Sequence, residues 1–310
     1  MFETPMVLSG PLRAPRQMLQ HQEYDGHASL HDDSMAQGLG FKGAPIEGPT
    51  HFSQFDPLLE RLWGRAWFER GCISSHYLNM VVEGEQVRAF VQMPAPGATR
   101  TRIWAEKADG TPVLEASASI GPDHGTTLLE ERMAALKPAG SLVILRDLKV
   151  GQTGVQDEPV RMGPEQHMGA LYPFSLKDKL SCITENSPWY SDAAASPWGR
   201  PIIPFEMVSV LVNSSSRKAG FSVKGPAIGL FADLQVRMID GPLFVDEDYL
   251  VRREILALAQ TRKTESYWVL SRIFDSSGKH LKAEMLLNSA VLKHSYAPYA
   301  QELAMLGGGS

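Results

Sequence analysis

The sequence predicts an α+β fold built twice, with an antiparallel sheet wrapped around a central helix in each half. Three observations predict it. A Gly-x-Pro-Ile turn followed by an apolar run occurs in GFKGAPIEGPTHFSQF (40–55) and again in SPWGRPIIPFEMVSVL (196–211), and Pro45 and Pro201 stand about half the chain apart. Two later stretches repeat in the same order. VVEGEQVRAFVQM (81–93) matches LFVDEDYLVRREI (243–255), and IWAEKADGTPVLEASASI (103–120) matches LSRIFDSSGKHLKAEMLL (270–287). After each turn, a helical apolar run gives way to alternating segments joined by short turns. One helix followed by hairpin-linked strands implies a sheet curled around that helix.

The elements follow in order. YDGHASLHDD (24–33) is a polar loop, and Asp32 or Asp33 suits the N-cap of a short helix over 33–38. The first central helix spans 49–66, with Pro49 at a favourable first position. Pro57 cannot sit comfortably inside it, so Asp56-Pro57 marks a break and a restart. Phe52, Phe55, Trp63 and Trp67 recur at helical spacing and belong to the core. His51 on this helix reads as a structural hydrogen-bonder. Strands are predicted near 72–82, 86–93, 101–107 and 112–120, with Asp109-Gly110 as a hairpin turn. Residues 122–165 connect the halves and contain a helix over 126–136 and a Pro/Gly/Gln-rich stretch over 151–165. The second half offers a helix over 205–218 and strands near 229–239, 248–261, 265–275 and 280–292, with Ser277-Gly278 as the matching turn. The division is therefore 1–125, a linker over 126–165, and 166–310. The two sheets are expected to pair edge to edge, because pairing covers two exposed edges.

Composition narrows the function. The chain has 310 residues, 43% of them hydrophobic and 21% charged, which is ample for a large core. The net charge of −5 and the lack of a Lys/Arg run argue against a nucleic-acid surface. The first twenty residues lack the apolar stretch of a signal peptide, and no segment reaches the ~18 apolar residues of a membrane span. A cytoplasmic location with no membrane partner is the expectation. Cys72 and Cys182 belong to no CxxC pair, so neither a disulfide scaffold nor a metal or redox cofactor is expected. Motifs for nucleotide binding, zinc proteolysis and serine hydrolysis are missing.

The most specific run is His31-Asp32-Asp33, Ala36, Gly40-Phe41 and Pro45-Ile46-Glu47-Gly48. It resembles the motif of MaoC-like (R)-specific enoyl-CoA hydratases, which have an Asp, Asn-Pro, His-x-Asp, Ala, Gly-Phe, and Pro-Ile ending in a Gly at a helix start. Over most of its length the chain resembles a double-hotdog protein of that family. The departures are specific. Asp25 lies six residues before His31 where the family has five, His27-Ala28-Ser29 replaces the Asn-Pro region, and Glu47 stands where a His often precedes the Gly. In the second half, Glu185-Asn186-Ser187-Pro188-Trp189-Tyr190 keeps the spacing but substitutes Glu for Asp and Tyr for His. Glu185 and Tyr190 read as a remnant in the form of a hydrogen-bonded pair, and Ile203-Pro204-Phe205 has lost the Gly.

The resemblance implies hydration or dehydration of an enoyl or 3-hydroxyacyl thioester. Asp25 and His31 would be the acid/base pair and Gly48 the backbone oxyanion donor, with Thr50 behind it. Phe41, Pro45, Ile46, Glu47 and Thr50 would contact substrate. An imidazole suits proton transfer at neutral pH, and a free N–H at a helix start suits a developing enolate oxygen. His27 and Glu47 are alternative bases. Partners would be an acyl-CoA or acyl-carrier thioester, with CoA present only as part of the substrate, and a homodimer is left open. A double-hotdog thioesterase, with Glu47 or Asp25 activating water, is the second reading. A non-catalytic acyl-thioester binding protein is the third.

Overall fold

The structure, a computed structural model, describes residues 5–23, 29–31, 33–38, 42–155 and 158–307. Its strands are β1 (Val7–Ser9), β2 (Gly71–Tyr77), β3 (Val87–Gln92), β4 (Arg100–Lys107), β5 (Pro112–Ile120), β6 (Gly229–Met238), β7 (Tyr249–Gln260), β8 (Thr264–Asp275) and β9 (Leu281–Leu292). They form one nine-stranded sheet in the order β1-β3-β4-β5-β2-β6-β9-β8-β7. The two expected sheets are therefore joined edge to edge into one continuous sheet, as the need to cover two edges predicted. β2 and β6 join antiparallel, from Cys72 opposite Arg237 to His76 opposite Asp233. A five-strand and a four-strand sheet side by side would each leave a row of unpaired backbone groups, and the junction pairs both rows.

The repeated turn is visible in the backbone, but shifted by one residue. Pro45 bridges Val82 and Ile46 N–H donates to Val81 O at 2.7 Å. In the second half Ile202 bridges Phe244 and Ile203 N–H donates to Leu243 O at 2.8 Å. The counterpart of Pro45 is thus Ile202 rather than Pro201, and the counterpart of Gly48 is Phe205. Each opens its helix: the 3₁₀ helix Gly48–Gln54 and α6 (Phe205–Asn213).

These two helices pack against each other. Every residue of α6 is buried, as its predominantly apolar sequence FEMVSVLVN demands, and Glu206, Ser209 and Asn213 are enclosed with it. The first central helix is not continuous. It divides into the 3₁₀ helix, α2 (Asp56–Trp63) and α3 (Ala66–Arg70). Pro57 sits in the first turn of α2, and Gly64, at φ 58°, ends it. The other face of the β2–β6 junction carries α4 (Leu128–Ala134), whose start is a capping box of Thr127 and Glu130. Leu129 of α4 packs with Trp268 and Leu286.

The connector is tied down by one carboxylate. Glu265, fully buried on β8, accepts the backbone N–H groups of Val143, Ile144 and Leu145 at 2.9, 2.9 and 3.0 Å, and the Tyr299 hydroxyl at 3.0 Å. Glu265→Ala leaves three buried donors without an acceptor. It should cost roughly 3 kcal/mol in denaturant unfolding, and amide exchange at 143–145 should rise well above that of β8.

Candidate active site

His31 follows a short segment held from both sides. Its backbone N–H donates to Ser29 Oγ at 3.2 Å, Ser29 Oγ donates to Gln22 Oε1 at 2.8 Å, and Gln22 Nε2 donates to Leu171 O at 2.9 Å. The imidazole is fixed by the Pro45 carbonyl, 2.8 Å from Nδ1. A carbonyl only accepts, so Nδ1 carries the proton and Nε2 is the basic nitrogen of the neutral ring. Gln17 completes the arrangement. Its Oε1 accepts Leu19 N–H at 2.7 Å, which turns its Nε2 to the same Pro45 carbonyl at 2.6 Å. Burial pushes the His31 pKa down, and the bond to Pro45 only partly opposes this. Neutral His31 therefore prevails at neutral pH. Asp33 heads α1 (Asp33–Gly38), but its carboxylate accepts Ala44 N–H at 2.7 Å, so it ties the helix to the Pro45 loop. Asp25, His27, Asp32 and Phe41 lie outside the described residues.

Glu47 and Gly48 meet His31 in one cavity of about 280 Å³, which Pro45, Ile46, His51, Tyr77 and Tyr172 also line. The Glu47 side chain keeps an edge on the cavity. Loss of water around its carboxyl pushes its pKa up to about 7, with Lys179 pulling it down and Glu206 pushing it further up. The Gly48 N–H has no acceptor among the described residues. Thr50 is different. Its N–H donates to Glu47 O at 3.1 Å, so it is engaged in the turn and is no spare oxyanion donor. The hydroxyl of Thr50 instead accepts from Lys179 Nζ at 3.1 Å.

Lys179, on α5 (Leu176–Leu180), forms a 2.9 Å ion pair with Glu206, and the two are 3% and 2% exposed. Burial alone would lower the Lys179 pKa, but Glu206 and Glu47 outweigh it and the group stays charged. Burial and the charges of Lys179 and Lys107 push His51 down to about 4. The sequence suggested a structural hydrogen-bonder at His51; its Nδ1 has no partner among the described residues, and the residue lines the cavity. Sequence reasoning missed Lys179, Glu206, Gln17 and Tyr77. Lys179 sits in an ordinary amphipathic helix, and only its burial singles it out.

The second half uses its counterpart residues otherwise. Glu185 and Tyr190 do not bond each other. Glu185 takes a bidentate pair from Arg13 at 2.5 and 2.9 Å. The Tyr190 hydroxyl donates to Asp56 Oδ2 at 3.1 Å, and Trp67 Nε1 donates to Asp56 Oδ1 at 2.8 Å. The Phe205 ring stacks on Trp67 with centroids 4.6 Å apart. Trp189 packs edge-on to Phe68 and Trp198 at 5.4 and 5.5 Å. Aromatic rings thus occupy the region matching the first-half cavity.

The chain superposes on a MaoC domain protein, called a dehydratase, from Chloroflexus aurantiacus J-10-fl. The TM-score is 0.60 over 94% of this chain and 95% of that one, at 14% identity. A Mycobacterium tuberculosis protein with a double hotdog fold gives a TM-score of 0.56 over 94% and 96%, at 11% identity. This chain has the double hotdog fold. Identities this low establish the fold and leave the chemistry to the site. No family model and no curated protein matches the chain. Among the described residues of this double hotdog, no group of three His, Cys, Asp or Glu side chains is placed to hold a metal ion. No described helix is long and apolar enough to cross a membrane.

Two outcomes test the site's construction. A Cβ on Gly48 would lie 2.5 Å from the Tyr77 ring, so the glycine is needed by Tyr77 before any substrate arrives. Gly48→Ala should lower the melting temperature, and Tyr77→Ala should cost less in the Gly48→Ala background than alone, giving a coupling of about 1 kcal/mol in a double-mutant cycle. Separately, burial pushes the Asp56 pKa up to about 8, against an unfolded value near 4. Folded Asp56 holds a proton that the unfolded chain releases. Its contribution is complete below about pH 4 and is lost as pH rises towards 8. Asp56→Asn, which retains an acceptor for Trp67, should flatten that part of the stability-versus-pH curve measured by urea unfolding.

Proposed function

We propose that the first-half cavity hydrates an enoyl thioester, or dehydrates the 3-hydroxyacyl thioester, with His31 as base and Glu47 as its carboxyl partner. One observation carries this: His31 has its Nδ1–H pinned by Pro45, and its ring lines the same cavity as the Glu47 carboxyl and the unengaged Gly48 N–H. In the hydration direction, His31 Nε2 takes a proton from water as the oxygen adds to the β-carbon. The π electrons move to the α-carbon and thioester oxygen, where the Gly48 N–H meets the developing charge. A donor aimed there contributes roughly 3–4 kcal/mol to the transition state. The α-carbon then takes the proton of the Glu47 carboxyl, and imidazolium returns a proton to Glu47 through solvent. Glu47 suits the part because a carboxyl with a pKa of about 7 keeps a large protonated fraction at neutral pH and gives up that proton readily. The thioester's carrier is CoA or an acyl-carrier protein.

The position of Glu47 beside the Gly48 N–H favours a second reading, hydrolysis of the thioester with Glu47 as base. The two readings differ in sign. As a proton donor Glu47 must be protonated, so the rate falls as pH rises through about 7. As a base it must be ionised, so the rate rises through the same pH.

Crotonyl-CoA and longer enoyl-CoAs, followed by both enone absorbance and free thiol, separate them. Loss of enone without thiol is expected, with kcat/KM declining above about pH 7. His31→Ala should lower kcat by ~10²–10⁴, and Glu47→Gln by a similar factor with loss of the alkaline limb. Thiol release with a rising limb would establish the thioesterase. Binding without either change would leave a non-catalytic acyl-thioester protein.

A further inference from the structure

A second cavity, of about 370 Å³, adjoins the first and shares Gln22, Tyr172, Gly229, Phe231 and Ser289 with it. It runs across the face of the second half from β6 over β9 and β8 to β7. Three strand steps separate Phe231 from β7, which is about 14 Å along the sheet. Its wall is apolar at Leu287 and Val269 and at Met285, which lies in register with Ser271 and Arg253. Its far end is polar and carries Arg253, Asn213, Ser216 and Ser271.

Arg253 is the unusual feature. It is 6% exposed. Its Nη2 donates to Val212 O at 2.6 Å and to Ser215 Oγ at 2.7 Å, holding the end of α6. The three N–H groups on Nε and Nη1 have no partner among the described residues, and none of its bonds reaches a carboxylate. No Asp or Glu lines this cavity among the described residues. Asn213, 8% exposed at the same end, has an Nδ2 with no acceptor among the described residues. Burial without an anion lowers the Arg253 pKa to about 10. A guanidinium this enclosed costs free energy unless an anion joins it, and its planar fork matches a carboxylate.

We infer that this cavity receives the far end of the acyl chain, and that the chain ends in a carboxylate held by Arg253 with Asn213 beside it. The path across the second cavity alone exceeds the extended length of a ten-carbon chain, so the substrate class is then a thioester of a long-chain dicarboxylic acid. This rests on the acyl-thioester reading of the first cavity. The methylenes lie on Leu287, Met285 and Val269, and the terminal carboxylate accepts the unengaged donors.

Equilibrium binding of saturated thioesters, which cannot be hydrated, tests this without requiring turnover. Dodecanedioyl-, tetradecanedioyl- and hexadecanedioyl-CoA are compared with lauroyl-, myristoyl- and palmitoyl-CoA, and with free suberate, on the full-length protein. The dicarboxylic thioester should bind at least tenfold tighter than its methyl-ended partner at one or more lengths. Arg253→Met should close that gap, and Arg253→Lys should keep part of it. If Arg253→Met does not fold by circular dichroism, the wild-type gap and the partial gap in Arg253→Lys decide. Equal binding of the two series would overturn the subsite while leaving the thioester reading intact, as would a gap that survives Arg253→Met. Failure of both series to bind would sink the thioester reading and the subsite together. Arg253-dependent binding of free suberate alone would overturn the continuity of the two cavities.

Discussion

The site depends on one buried charge pair. Lys179 and Glu206 meet at 2.9 Å where α5, α6 and the 3₁₀ helix converge. Lys179 also reaches the Thr50 hydroxyl, so one ammonium joins both halves of the chain. Breaking such a pair leaves an uncompensated charge in the core, which typically costs several kcal/mol. The pair also sets the electrostatics nearby. The Lys179 charge restrains the rise in the Glu47 pKa and helps keep His51 neutral. Packing of the central helices and proton chemistry at the cavity are thus consequences of the same contact.

The two halves share a backbone frame and diverge in what fills it. In the first, Gly48 opens the helix and the Tyr77 ring lies against it, leaving room beside His31 and Glu47. In the second, Phe205 opens the helix and its ring stacks on Trp67. A side chain at that position decides whether the turn borders a cavity or a packed core. Asp56 shows the same exchange. It is buried, raised in pKa, and shared between Trp67 and Tyr190 as part of the aromatic packing. The loss of an open site in one half gains well-packed aromatic contacts, each worth roughly 0.5–1.5 kcal/mol beyond area burial.

Much of the fold was legible in the sequence because it rests on local signals. Alternation in VRAFVQ and the Asp109-Gly110 turn mark strands and a hairpin with no knowledge of partners, and Gly110 and Gly278 both adopt positive φ at matching turns. The apolar run of α6 announces a buried helix. His31, Glu47 and Gly48 were legible as a group because a short motif carries them in order. Breaks in the first central helix were legible only at Pro57, since the 3₁₀ geometry of 48–54 depends on how Pro49 and the Tyr77 contact constrain the turn.

What the sequence determined by itself was therefore the central helices and eight of the nine strands, their duplication, and one motif with a base and a glycine. Tertiary structure decided the rest, because the deciding quantities are burial and long-range pairing. The one-residue shift that matches Gly48 with Phe205 follows from which carbonyl each turn meets, Val81 or Leu243. Edge-to-edge joining of the two sheets was expected, but the strands that make it, β2 and β6, were fixed only by long-range pairing. Lys179 and Arg253 look like ordinary surface cations in a string of letters. Their importance comes from enclosure, which opposes charge unless a partner is present: Lys179 has Glu206, and Arg253 has carbonyl and hydroxyl oxygens but no carboxylate.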